Sequence, residues 1–336
     1  MYKTQRMIAA SLCAGLFMAI TFTLLMSCQV KDEKTGRNKK LNVVTTLFPL
    51  YDFARNIGQD KADVFLLLPP GLEPHSFEPK PADMIRLNQA DLFIYTNPAM
   101  EPWAKNVLKG IQSRNLRVLE AGRGIAMMAD RDGQGRDNKT VPGHENGHRP
   151  DHDQADHDPV GRDPHIWLDF SNAVKMVDHI LAGFIEKDPL NRDYYQRNAD
   201  AYKQRLTDLD RQFREGLSGC QKKVLVHGGH FAFGYLAERY GLKYVALSGF
   251  SPDAEPTPAN LVRISKIMKA NDLHYLFYEE LLLPRTAEML AKETGASLLL
   301  LHGAHNISKE DFDRGVGFIT LMQTNLENLK RGLQCP

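Results

Sequence analysis

Residues 42–68, NVVTTLFPLYDFARNIGQDKADVFLLL, decide the architecture. Two short β-prone runs, Asn42-Val43-Val44-Thr45-Thr46 and Val64-Phe65-Leu66-Leu67-Leu68, enclose a stretch that reads as a helix over 50–57. Both runs are rich in β-branched and large apolar residues, the second apolar throughout, as strands of a covered sheet are. Outward from there the pattern repeats. Pro69-Pro70-Gly71 breaks the chain, a helix is expected over 81–90, a strand over 92–95, a helix around 101–110 and a strand over 117–120. Alternating β and α predicts a parallel sheet with helices on both faces. Beyond residue 163, helices are expected over 171–186 and 191–217, separated by Asp188-Pro189. The second carries Tyr194, Ala201, Leu206, Leu209 and Phe213 at roughly helical spacing and is long enough to cross between lobes. The alternation then resumes. Strands are expected at 223–226, 244–247, 275–278 and 297–301, helices at 231–240, 258–270 and 285–294, and a final helix runs to about residue 333. The predicted fold is α/β: two lobes, each a roughly four-stranded parallel sheet with flanking helices, joined by one long helix. The lobes are placed at 42–187 and 219–336, with the linking helix at 188–218.

The chain has 336 residues, with 42 Lys and Arg against 41 Asp and Glu and a net charge of +1. That length suits two domains, and near-neutral charge without a basic stripe gives no footprint for nucleic acid. The first residues differ from the rest. Lys3 and Arg6 precede an apolar run over 7–26, followed by Leu25-Met26-Ser27-Cys28 and a charged stretch to Lys40. This describes an export signal over 1–27. A Leu three places before a Cys looks like the lipobox of bacterial lipoproteins, with Cys28 lipidated and 28–41 a tether. A transmembrane anchor is the alternative; both put the body outside the cytoplasm, membrane-anchored, in a periplasm or at a cell surface. Of the four cysteines, Cys13 leaves with the signal and Cys28 carries lipid. An exported compartment permits a disulfide between the remaining Cys220 and Cys335; two unlinked thiols are the other reading.

Residues 130–163 hold almost no large apolar side chain, many Asp, and His144, His148, His152 and His157. Such a segment cannot bury enough surface to fold by itself and reads as a loop. Its histidines would bind metal weakly; a solvated acidic insertion is the plainer alternative.

The chain holds 12 histidines, and their placement carries the functional argument. His75 follows the second strand, His165 follows the insertion, His230 follows the strand at 223–226, and His302 and His305 follow the last strand. Loops at the carboxyl ends of strands line the ligand crevice of open α/β sheets, so both lobes are expected to offer imidazoles to one split site. Neutral imidazole suits Zn²⁺, Cu²⁺ and Ni²⁺, whereas Ca²⁺ and Mg²⁺ prefer oxygen. His179 inside a helix and His274 at a strand start read as ordinary residues, and His227 is open between the cleft and the lobe interior.

Several motifs stand out together: Leu68-Pro69-Pro70-Gly71 with Pro74-His75-Ser76, Asp163-Pro164-His165-Ile166-Trp167-Leu168-Asp169, and His230-Phe231-Ala232-Phe233-Gly234-Tyr235-Leu236. Tyr278-Glu279-Glu280 and Met322-Gln323-Thr324-Asn325-Leu326-Glu327-Asn328-Leu329 complete the set. With these motifs the chain resembles the zinc and manganese solute-binding proteins of bacterial ABC transporters, in the zinc-type branch. The resemblance implies two α/β lobes bridged by a rather rigid helix, metal in the cleft between them, and His75, His165 and His230 as ligands. A histidine rather than a carboxylate at position 230 points to Zn²⁺, with Mn²⁺ the weaker candidate. The sequence departs from the family where many relatives carry an Asp just after the last strand or a Glu three residues later. His302 and His305 stand in those places, and either, or water, would be the fourth ligand. Glu73, Glu279 and Glu280 are carboxylates placed to orient imidazoles. The function so implied is capture of Zn²⁺ as transported ligand and delivery to an ABC permease, without catalysis. A zinc hydrolase is the competing reading, although no His-Glu-x-x-His pattern occurs. A surface adhesin or zinc buffer would use the same site.

Overall fold

The computed structural model describes residues 40–129, 162–250, 257–280 and 285–336. The proposed signal segment with Cys28 and the insertion histidines His144, His148, His152 and His157 lie outside the described residues. In chain order the first lobe contributes β1 (Leu41–Thr45), α1 (Phe48–Gly58), β2 (Ala62–Leu66), α2 (Pro81–Gln89), β3 (Leu92–Tyr95), α3 (Ala104–Lys109) and β4 (Arg117–Glu120). Two long helices follow, α4 (Phe170–Lys187) and α5 (Arg192–Ser218). The second lobe contributes β5 (Val224–His227), α6 (Gly234–Arg239), β6 (Lys243–Ala246), α7 (Pro258–Ala270), β7 (Tyr275–Tyr278), α8 (Arg285–Thr294), β8 (Ser297–Leu300), α9 (Lys309–Asp313) and α10 (Phe318–Gly332).

The two sheets repeat one topology, β2-β1-β3-β4 and β6-β5-β7-β8, with every pairing parallel. Successive side chains on a strand point to opposite faces, and the core divides accordingly. Val43, Leu92 and Ile94 of the first sheet, and Leu225, Tyr244 and Phe277 of the second, enter one continuous core shared by both lobes. Their neighbours Val44 and Phe93 face a separate outer core, and Val226, Val245 and Leu276 face another. Each sheet is therefore covered on both faces, which is why its inner strands β3 and β7 carry unbroken apolar runs.

Helix α5 has 27 residues, about 40 Å at 1.5 Å per residue. Its buried face is Tyr195, Ala199, Tyr202, Leu206, Leu209, Phe213 and Leu217, a three-and-four spacing that keeps one stripe inward. That stripe packs on α1 and α4 at one end and on α10 at the other. The lobes share this helix and one core, so separating them would expose apolar surface over its length. Among the described residues no helix is long and apolar enough to cross a membrane.

Cys220, just past α5, is disulfide-bonded to Cys335, just past α10, at a separation of 115 residues. The backbone N–H groups of Gln221 and Lys222 donate to Gln334 and Leu333 beside it.

Two expected helices are shorter than their sequence patterns suggest. The final helix is split into α9 and α10 at Gly315, whose φ of +72° lies in the left-handed region. The N–H of Phe318, at the start of α10, then donates to Asp52 of the first lobe. The helix expected from 231 begins at Gly234; the His230 and Phe231 N–H groups donate to Glu279 and Gly249, which ties residues 230–231 into the loop ahead of it.

Candidate metal centre

The strand order puts a topological switch point between β1 and β3 in the first sheet and between β5 and β7 in the second, where ligand crevices form. The loops leaving these edges are bound to each other. Gly71 N–H donates to Ile307 at 2.8 Å, Phe48 N–H to His305 at 3.1 Å, and the Asn306 amide to Pro69 and Leu72, both at 2.8 Å. Trp167 Nε1 donates to Gly303 at 2.8 Å. The segment after β8 thus belongs to the second lobe by sequence and to the first by its hydrogen bonds.

Four imidazoles converge there. One ring nitrogen from each of His75, His165, His230 and His305 lies within 4.8 Å of the other three. All six ring-to-ring distances fall between 4.7 Å (His165 to His305) and 5.7 Å (His75 to His305). The Nε2 atoms of His165 and His230 face each other at 3.4 Å. The Nε2 atoms of His75 and His305 are buried without a hydrogen-bond partner. In a tetrahedron with Zn–N bonds of 2.0–2.1 Å, nitrogens sit about 3.3–3.4 Å apart. One edge already has that length, and the others, at most 4.8 Å, close by no more than about 1.5 Å.

Three rings are held from behind by carboxylates. His165 Nδ1 lies 2.7 Å from Asp163, which also accepts the His165 N–H. His230 Nδ1 pairs with Glu279, which also accepts the His230 N–H at 3.1 Å. His305 Nδ1 lies 3.5 Å from Glu280. A carboxylate on Nδ1 fixes the tautomer that leaves the Nε2 lone pair free for a metal. His75 differs: it is half-buried, and Glu73 accepts its backbone N–H at 3.0 Å.

Burial, reinforced by the neighbouring imidazoles, holds His75 and His165 well below the ordinary histidine range, which keeps them neutral. Burial also works to lower His230, but the Glu279 carboxylate outweighs it and raises the ring. Burial would raise Glu280, yet the His302 and His305 rings hold it well below the usual carboxylate range. Asp163 is pushed up to about 8 by burial, a cost that a cation at the centre would offset.

His302 does not join the four. Its Nδ1 accepts the Ala304 N–H at 2.9 Å and lies 3.2 Å from Glu280, while its backbone is bonded in both directions to Asn325. His227 turns into the lobe, with Nδ1 on the His230 carbonyl and its ring on Phe233. His179 bonds the Ala121 carbonyl. The residue that sequence reasoning passed over is Asp163; its signal was the Asp-Pro-His spacing, which returns a carboxylate onto the ring two residues on. Two glycines make room. A Cβ on Gly229 would lie 2.7 Å from the Glu279 carboxyl carbon, and one on Gly303 would lie 2.5 Å from His305 Nδ1.

The chain belongs to the zinc-uptake complex component A (ZnuA) periplasmic family, whose profile matches residues 43–332. It is 36% identical over 324 residues to the high-affinity zinc uptake system protein ZnuA of Bacillus subtilis, covering 95% of this chain and 97% of that one. It is 34% identical over 329 residues to the zinc-binding lipoprotein AdcA of Streptococcus pneumoniae, covering 98% of this chain and 61% of AdcA. The crystal structure of the Zn(II)-bound ZnuA-like domain of that AdcA superposes with a TM-score of 0.70 at 33% identity, covering 88% of this chain and 99% of the domain. The family consists of solute-binding components, so the chain is an extracytoplasmic binding protein of zinc uptake and not an enzyme.

Proposed function

We propose that, as a member of this family, the chain captures Zn²⁺ in the cleft between its lobes through His75, His165, His230 and His305 and delivers it to an ABC permease. The observation that carries this reading is the convergence of four imidazole nitrogens, two from each lobe, within 4.8 Å. Four imidazole nitrogen donors in a near-tetrahedral set suit Zn²⁺ and leave Mn²⁺, which favours oxygen, the poorer occupant. Four protein ligands also complete the tetrahedron and leave no open position for a catalytic water. The carboxylates Asp163, Glu279 and Glu280 are each engaged with an imidazole, so none is free as a general base. His302 acts behind the centre, on Glu280. Cys28 would carry the lipid that tethers the body to a membrane, and His144, His148, His152 and His157 would hold zinc weakly.

The test is competition titration with a chromophoric zinc chelator on the four single His→Ala variants and on His302→Ala. Each of the four should lose at least tenfold in affinity, with His302→Ala much less affected. Unchanged affinity in both His75→Ala and His230→Ala would refute the site. Delivery is tested separately, by zinc-dependent stimulation of ATP hydrolysis in liposomes holding an ABC permease of a zinc-uptake system.

A further inference from the structure

The metal ligands His165 and His230 come from different lobes, yet the contacts that set their spacing involve one short helix. Helix α6 starts four residues after His230, and its side chains reach the segment 163–169 that carries His165. The Tyr235 hydroxyl donates to the Asp163 carbonyl at 3.0 Å and accepts the Met128 N–H at 2.9 Å. Asp163 in turn donates its N–H to Met128 at 3.0 Å, so three groups close on one another. One helical turn later, Arg239 Nη1 lies 2.9 Å from the Asp169 carboxylate, at the other end of the segment. Asp169 caps α4 by accepting the Ser171 N–H at 2.7 Å, and Arg239 Nη1 also donates to the Ser171 hydroxyl at 3.2 Å. The same guanidinium forks onto Asp210 of α5 with two bonds of 2.7 Å, which fixes its own position. Residues four apart on a helix share a face, so Tyr235 and Arg239 grip the two ends of one strap. Just ahead of Tyr235, Gly234 admits the Asp163 carboxylate: a Cβ there would lie 2.7 Å from Oδ2.

We propose that Tyr235 and Arg239 are positioning residues for metal capture, clamping the His165 segment of the first lobe onto the second so that His165 and His230 stand as a preassembled pair. The clamp rests on the reading that these imidazoles bind zinc. Its contacts involve neither metal nor ligand ring, so they set the spacing before the ion arrives. The entropy of bringing two ligands together is then met by folding rather than by binding.

The decisive variant is Tyr235→Phe, which keeps the ring in the core and deletes the hydroxyl. Arg239→Met removes the other grip, and Arg239→Lys keeps charge but not the two-sided fork. Zinc affinity is measured by chelator competition, ligand geometry by the visible spectrum of the Co²⁺-loaded protein, and fold by the thermal midpoint of the metal-free form. Loss of groups behind metal ligands costs about 10–100-fold in affinity. Tyr235→Phe and Arg239→Met should each weaken zinc binding about tenfold and alter the Co²⁺ spectrum, with Arg239→Lys between Arg239→Met and the parent. A parent protein that binds no zinc would overturn the site itself. A parent that binds, with Tyr235→Phe matching it in affinity and spectrum whatever its thermal midpoint, would overturn the clamp. Tyr235→Phe decides alone if Arg239→Met does not fold.

Discussion

A single methyl group at residue 303 is predicted to remove His305 from the centre. In Gly303→Ala the new Cβ would lie 2.5 Å from His305 Nδ1, where ordinary contact begins near 3.4 Å. The ring must therefore retreat by about 1 Å, whereas a zinc site tolerates about 0.2 Å in each bond. The backbone has no quarrel with alanine, since Gly303 is absent from the residues with positive φ and its N–H can still donate to Glu280. If zinc binding is worth about 10–16 kcal/mol over four ligands, one ligand accounts for about 2.5–4 kcal/mol. Its loss is then worth roughly 10²–10³ in affinity. Chelator competition would read that change, with the metal-free thermal midpoint as a control for folding. An affinity within threefold of the parent would refute the reasoning, because it would mean that His305 is either dispensable or free to move aside.

Reduction of the Cys220–Cys335 bridge releases a loop of 115 residues, worth up to about 5 kcal/mol by chain entropy; the double Ser variant should show this in urea unfolding, and a loss below about 1 kcal/mol would contradict it. Asp52 accepts both the Tyr202 hydroxyl at 2.8 Å and the Phe318 N–H at 3.1 Å, so it caps α10 from the other lobe. Asp52→Ala should destabilise by about 2 kcal/mol, measured by the same unfolding, and a neutral result would remove it from the lobe junction. Glu101 is fully buried on Thr46, Thr96 and Asn97, and burial pushes its carboxyl up to about 7. Its folded value lies above its unfolded one, so its contribution is greatest at acid pH and is lost as pH rises toward 7. Relative to Glu101→Gln, the parent should lose up to about 3 kcal/mol of stability between pH 4.5 and 7.5; parallel pH profiles would exclude that carboxyl as the source. Saturating Zn²⁺ at about 100 times its dissociation constant should raise stability by about 2.7 kcal/mol, reversed by chelation and reduced to below about 1.5 kcal/mol in His165→Ala at the same zinc concentration.

The strands were legible because a strand covered on both faces is apolar along its length, and β3 and β7 carry that requirement in four consecutive residues. Helix ends were less legible. The pattern at 231–240 begins three residues ahead of α6, and the starts of α6 and α10 are marked by the His230 and Phe318 N–H groups donating to Glu279 and Asp52, both distant in sequence.

Local spacing was enough to point to both lobes, the long helix between them, and the imidazoles at the carboxyl edges of the sheets, because periodicity and loop position are properties of neighbouring residues. Choosing between His302 and His305 was beyond it. Both lie on one short loop, and what separates them is that Asn325 holds the backbone of the first while Phe48, from the other lobe, bonds the carbonyl of the second. The direction of His227, the carboxylate behind each ring and the grip of α6 on the His165 segment were likewise set by the packing of the two lobes around one core. A side chain's direction depends on groups far along the chain, and only the folded molecule brings those within reach.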